Sequence, residues 1–105
     1  MIRFKVIDAA DQQFAVILNN RRVTIRLWYN FSTDRWSFDL SIDDRPVIRG
    51  RRIVEGVDLL AAFPNIKLGK LFAHSPTGAA PNRSNLPAGI VNLYHVTDEE
   101  VDAVL

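Results

Sequence analysis

The chain has no cysteine, so neither a disulfide framework nor thiol chemistry is available and stability has to come from packing. An excess of one charge is missing too. Thirteen Lys plus Arg stand against twelve Asp plus Glu, a net charge of +1, far from the surplus that marks a nucleic-acid binder. No apolar run reaches membrane-spanning length, and the N-terminal MIRFKVIDAADQQF lacks the apolar stretch of a signal peptide. A protein folded in the cytoplasm where it is made, with no membrane or specific nucleic-acid partner, is the expectation.

Histidine is scarce as well. His74 and His95 lie far apart, with no cysteine and no helical His-Glu spacing to complete a metal site. His95 reads as an outward residue of the last strand. The serines have no nucleophile-elbow context, and no Gly-rich phosphate loop joins a strand to a helix. Asp43-Asp44 and Glu99-Glu100 fall in a turn and at a helix start, where capping accounts for them without acid-base chemistry. The reading is therefore of a non-enzyme that uses no cofactor.

An apolar fraction of 48% with 24% charged residues is ordinary for a folded protein, and residues 1–105 make a single domain. The chain is organised around residues 23–42, VTIRLWYN-FSTD-RWSFDLSI. If Asn30 faces Arg35 across the loop 31–34, then Tyr29/Trp36, Leu27/Phe38, Ile25/Leu40 and Val23/Ile42 share one apolar face. The other face pairs Arg26 with Asp39, Trp28 with Ser37 and Thr24 with Ser41. One register satisfies both faces.

Around this hairpin the alternation predicts strands over residues 2–7, 14–18 and 47–54. Asn19-Asn20 suits a tight turn that pairs Val16 with Val23, while a turn at Asn20-Arg21 would pair Leu18 with Val23; the register stays open between them. A three-residue loop after Ile42 would set Leu40 opposite Ile48 and Phe38 opposite Gly50. The expected fold is mainly β, a small antiparallel barrel or sandwich built on a five-strand meander. Residues 56–63 read as one helical turn capped by Asp58 and stopped by Pro64, in preference to an extended crossover. Residues 66–72 and 90–96 read as strands, and 75–89, with three prolines, as a long functional loop. Thr97 and Glu100 form a capping box that opens a short C-terminal helix.

The candidate site is an interface. Trp28 points away from the core beside Arg26, as an interface anchor or a sugar platform, unless the terminal helix or the 75–89 loop covers it, which is the preferred reading. Arg49, Arg51 and Arg52 on the fifth strand, and Asn82, Arg83 and Asn85 in the long loop, complete the candidate partner surface.

The order of these features resembles the baseplate plug proteins of contractile-tailed phages and prophages. The likeness is carried by Leu27-Trp28-Tyr29-Asn30, Arg35-Trp36-Ser37-Phe38-Asp39-Leu40, Pro46-Val47-Ile48-Arg49-Gly50, Ile53 to Leu60 and Leu93-Tyr94. The resemblance implies a structural virion part at the centre of the tail baseplate, plugging the channel and contacting hub, spike and tail-tube proteins. Tail symmetry would favour a ring or a partner-bound trimer if the chain self-associates. The competing class is a stand-alone carbohydrate-binding β-sandwich using Trp28 and Tyr29.

Overall fold

A computed structural model describes residues 2–97 and Glu100. The four strands of the meander are β2 (Asp11–Leu18), β3 (Arg21–Asn30), β4 (Arg35–Ile42) and β5 (Arg45–Arg52), which form a sheet in sequence order. A second, three-stranded sheet has β7 (Asn92–Val96) between β1 (Ile2–Phe4) and β6 (Lys70–His74). The central hairpin has the predicted register throughout, from Val23 opposite Ile42 to Asn30 opposite Arg35. Val23, Ile25, Leu27, Trp36, Phe38 and Leu40 are all buried on its inner face. The first hairpin turns at Asn19-Asn20, both at positive φ, and pairs Val16 with Val23. Asparagine tolerates that conformation because its short polar side chain bonds locally.

The meander has four strands and not five. β1 leaves the sheet because Gln12 clamps the corner before it. The buried Gln12 amide accepts from Ile7 N at 3.0 Å and donates to the carbonyls of Ile7 and Ala9 at 2.9 and 3.0 Å. The chain thus turns away, and Phe4 faces Leu93 of β7 while its ring packs 5.3 Å from Phe14. The result is two sheets over one core, and they do not close into a barrel.

The β4–β5 connection is a two-residue turn, Asp43-Asp44, with both residues at positive φ, so the strand begins at Arg45 and Pro46 is its second residue. Two register shifts follow. Leu40 does face Ile48, but Phe38 faces Arg51 and not Gly50. Gly50, at φ +64°, forms the bulge, and its amide donates to Asp39 Oδ1 at 2.7 Å.

Residues 56–63 form turns in place of the expected helical turn, since Asp58 Oδ1 accepts from Leu60 N at 3.0 Å and from Leu71 N at 3.3 Å. That carboxylate ties the segment sideways to β6 and so prevents a helical climb. Pro64 opens a short 3₁₀ turn, Pro64–Ile66, and does not end one. The strand expected at 66–72 is displaced to Lys70–His74 because Lys67 (φ +52°) and Gly69 (φ +86°) hold the chain in the left-handed region.

His95 corrects a further expectation. It is 1% exposed, with Nε2 donating to the Leu68 carbonyl, and Nδ1 has no hydrogen-bond partner among the described residues. Strand alternation explains this, because Leu93 is buried and His95 lies two residues on, on the same side. The expected C-terminal helix falls on residues outside the description. Its capping box is in place: Glu100 N donates to Thr97 Oγ1 at 3.1 Å and Thr97 N to Glu100 Oε1 at 3.2 Å.

Candidate partner interface

The central hairpin fixes what its outer face presents. Across the four strands Asp11, Trp28, Ser37 and Arg52 lie in one row, with Gln13, Arg26 and Asp39 in the next. Arg26 is held between two carboxylates. Its Nε and Nη2 donate to Asp11 at 2.9 and 2.7 Å, and its Nη1 lies 3.5 Å from Asp39. These bonds hold the Asp11 carboxyl below the usual carboxylate range and push the guanidinium of Arg26 further up. The Arg26 guanidinium carbon lies 6.0 Å from the centre of the Trp28 ring, and Trp28 Nε1 reaches Asp39 Oδ1 at 3.5 Å. Trp28 is half-buried in consequence.

Asp39 therefore joins three things: the Arg26 pair, the Trp28 indole and the Gly50 bulge. Its pairing with Arg26 was legible from the hairpin register. Its hold on Gly50 was not, because the bulge depends on how β5 docks. On either side of the bulge, Arg49 beside Arg26 and Asp39, and Arg52 in the row of Trp28, lie on the outer face, whereas the exposed Arg51, opposite Phe38, turns to the other side and stacks 5.1 Å from the Phe63 ring. Among the described residues none of Arg49, Arg51 and Arg52 has a carboxylate within ion-pair distance.

Asn82, Arg83 and Asn85 sit elsewhere, on the side where the 75–89 loop covers Trp36. The Asn82 carbonyl accepts from Trp36 Nε1 at 2.8 Å, and its side-chain oxygen accepts from the amides of Ser84 and Asn85. Asn85 is buried. Its Oδ1 accepts from Asn82 N at 2.6 Å, and its Nδ2 donates to the Ala80 carbonyl at 2.9 Å. The two asparagine amides thus supply partners for loop backbone that has no strand to pair with. Arg83 closes over them, 5.9 Å from the Trp36 ring and paired with Asp8 at 2.8 Å. Of the eight residues picked out by sequence, Arg26, Trp28, Arg49 and Arg52 share the outer face, Asn82, Arg83 and Asn85 lie together on the opposite side where the loop covers Trp36 and not Trp28, and Arg51 stands apart on Phe63.

Sequence reading missed Phe31. It stands 75% exposed at the tip of the β3–β4 loop, its ring edge-on to Tyr29 at 4.8 Å. Asn30 Oδ1 fixes the loop by accepting from Ser32 N at 3.0 Å, and the Tyr29 hydroxyl donates to the Asp34 carboxylate. That bond raises the Tyr29 pKa above its ordinary value. An aromatic inside a short hairpin loop was the available signal.

Among the described residues no three His, Asp or Glu side chains converge as a metal site would require. A surface cleft of about 630 Å³ between residues 3–6 and 86–89 is lined without a carboxylate, histidine or hydroxyl. Comparison with known proteins turns the geometry toward assembly. Residues 1–99 match the family described as cyanophage baseplate Pam3 plug gp18. The chain belongs to the phage baseplate plug family. A search among curated proteins found no match. Baseplate plugs are structural components of the phage tail and associate with other baseplate proteins.

Proposed function

We propose that the chain is a structural component of a phage or prophage tail baseplate, seated on the axis near the tube exit, where it closes the channel before ejection and contacts hub and spike proteins. The family match over residues 1–99 carries this reading. It is supported by an outer sheet face that combines the half-buried Trp28 with Arg49 and Arg52, two cations whose charge no neighbouring carboxylate satisfies among the described residues. Such a face suits a partner with acidic rim residues and a slot for an indole. Phe31 at the loop tip offers a second, apolar contact.

The test is co-expression of the chain with the hub and spike proteins of a contractile-tail baseplate, followed by co-purification and electron microscopy of assembled baseplates. The chain should co-purify with the hub and fill the axial channel, and Arg49→Glu with Arg52→Glu should weaken that association without unfolding the protein. Tails that lack the chain, or that carry it at the periphery, would overturn the assignment.

A further inference from the structure

Among the described residues the four-stranded sheet has two free edges, and they are built differently. β5 is defended: it carries Arg45, Arg49, Arg51 and Arg52, has Pro46 near its start, and is broken by register shifts and the Gly50 bulge. Charge, proline and bulges are the devices that stop an edge from pairing with another chain. β2 has none of them. It pairs with β3 over eight consecutive residues without a shift, and its sole charged residue, Asp11, is neutralised by the two bonds from Arg26.

The rest of β2 is uncharged, QQFAVIL; Gln12 and Leu18 are buried, and the side chains between them are half-buried or exposed. Ile17 is 63% exposed and Ala15 exposed, while Phe14 and Val16 stay half-buried although their partners Ile25 and Val23 are fully enclosed. Among the described residues the strand's backbone bonds to β3 and to no other strand, so the alternate amides and carbonyls on its far side have no backbone partner.

We propose that β2 is the strand through which a second copy of this chain adds, antiparallel about a two-fold axis, joining two four-stranded sheets into one. Self-pairing follows from the charge pattern. A strand laid antiparallel on its own copy sets like charge near like charge, which is destabilising; β2 offers none at its centre, whereas β5 would bring arginine against arginine. An edge without charge also gives a foreign strand nothing to set its register. Centred on Ala15, the pairing places Phe14 opposite Val16 of the partner subunit on the inner face, a favourable aromatic with β-branched pair. Because β5 cannot continue the sheet, addition stops at two copies and does not run on into a fibre. This inference is independent of the baseplate reading.

Sedimentation velocity of the full-length chain over a concentration series tests it. The chain should run as a dimer, and Ala15→Lys, which sets two ammonium groups face to face at the axis, should weaken dimerisation by about tenfold or more. Circular dichroism should be unchanged, since Ala15 is exposed. Ala15→Glu, which sets two carboxylates face to face at the same axis, is the second variant should Ala15→Lys fail to fold, and Arg49→Glu should leave the dimer intact. A monomer at the highest soluble concentration overturns the proposal. So does a dimer that survives the β2 substitutions, or one that Arg49→Glu dissociates.

Discussion

Residues 11–52 and residues 53–97 share one core but reach it by different routes. In the first region each strand bonds to the next in sequence, and the two-residue turns fall on Asn19, Asn20, Asp43 and Asp44, which accept positive φ. In the second region β6 and β7 pair across a long irregular connection, and the third strand of their sheet comes from the N-terminus. Irregular backbone there needs partners. They are supplied by the side chains of Asp58, Asn82 and Asn85, each accepting backbone amides, and by Glu55, which reaches Ser75 N. A segment that pairs locally brings its own hydrogen-bond partners; one that does not depends on the surface it is laid against.

The largest expected effect comes from breaking the link between the two regions. Trp36→Ala removes a fully buried ring and its bond to the Asn82 carbonyl, and should cost about 3–5 kcal/mol in urea unfolding. Trp28→Ala, on the outer face, should cost less than about 1 kcal/mol by the same measurement. Equal losses would mean that the outer face is core. Next, Leu93→Ala in the three-stranded sheet should cost about 2–4 kcal/mol. Native-state hydrogen exchange should then find the β6–β7 amides opening more easily than those of β3–β4, and the reverse order would make the second region the more stable unit.

Two glycines sharpen the contrast at smaller scale. Gly69 has φ +86°, and a Cβ there would run into the Val96 carbonyl oxygen, whereas Gly50 has φ +64° with nothing close to it. Gly69→Ala should cost about 2–3 kcal/mol. Gly50→Ala should cost only about 1 kcal/mol, the price of a left-handed residue with a side chain. Thermal melts of the two variants rank them, and equal shifts would show that the crowding at Gly69 relaxes.

The smallest effects are ionic and belong to the first region. Asp11 has a folded-state pKa lowered by its hydrogen bonds from Arg26. Its contribution is thus present above the unfolded value of about 3.9 and lost as pH falls through the folded one. Tyr29 is the opposite case, raised chiefly by its bond to Asp34; its contribution holds below an unfolded value of about 10 and is lost as pH rises through the folded one. Stability measured against pH should show a shallower acid limb in Arg26→Ala, and an acid limb identical to that of the unsubstituted chain would remove Asp11 from the account.

Much of the candidate interface was legible at the level of which face a residue takes. Trp28, Arg26 and Asp39 lie where the hairpin register puts them, since side chains alternate with period two and one register satisfied both faces. Asn82 and Asn85 were visible only as polar loop residues. Their use inside the loop depends on Trp36 lying beneath it, a contact across more than forty positions that no local pattern encodes.

The sequence by itself determined the first two of the meander's three hairpins, the inward set from Val23 to Leu40, and the absence of cysteine that leaves packing to hold it. Pattern and turn chemistry act over a few residues, so the chain carries that information locally. Only the tertiary structure decided that β1 leaves the meander for β7, that His95 turns inward to meet the Leu68 carbonyl, and that Asp39 holds the Gly50 bulge. The first two are contacts between segments distant in sequence, and the third depends on how β5 docks on β4. Which distant pairs meet is set by the competition for one shared core.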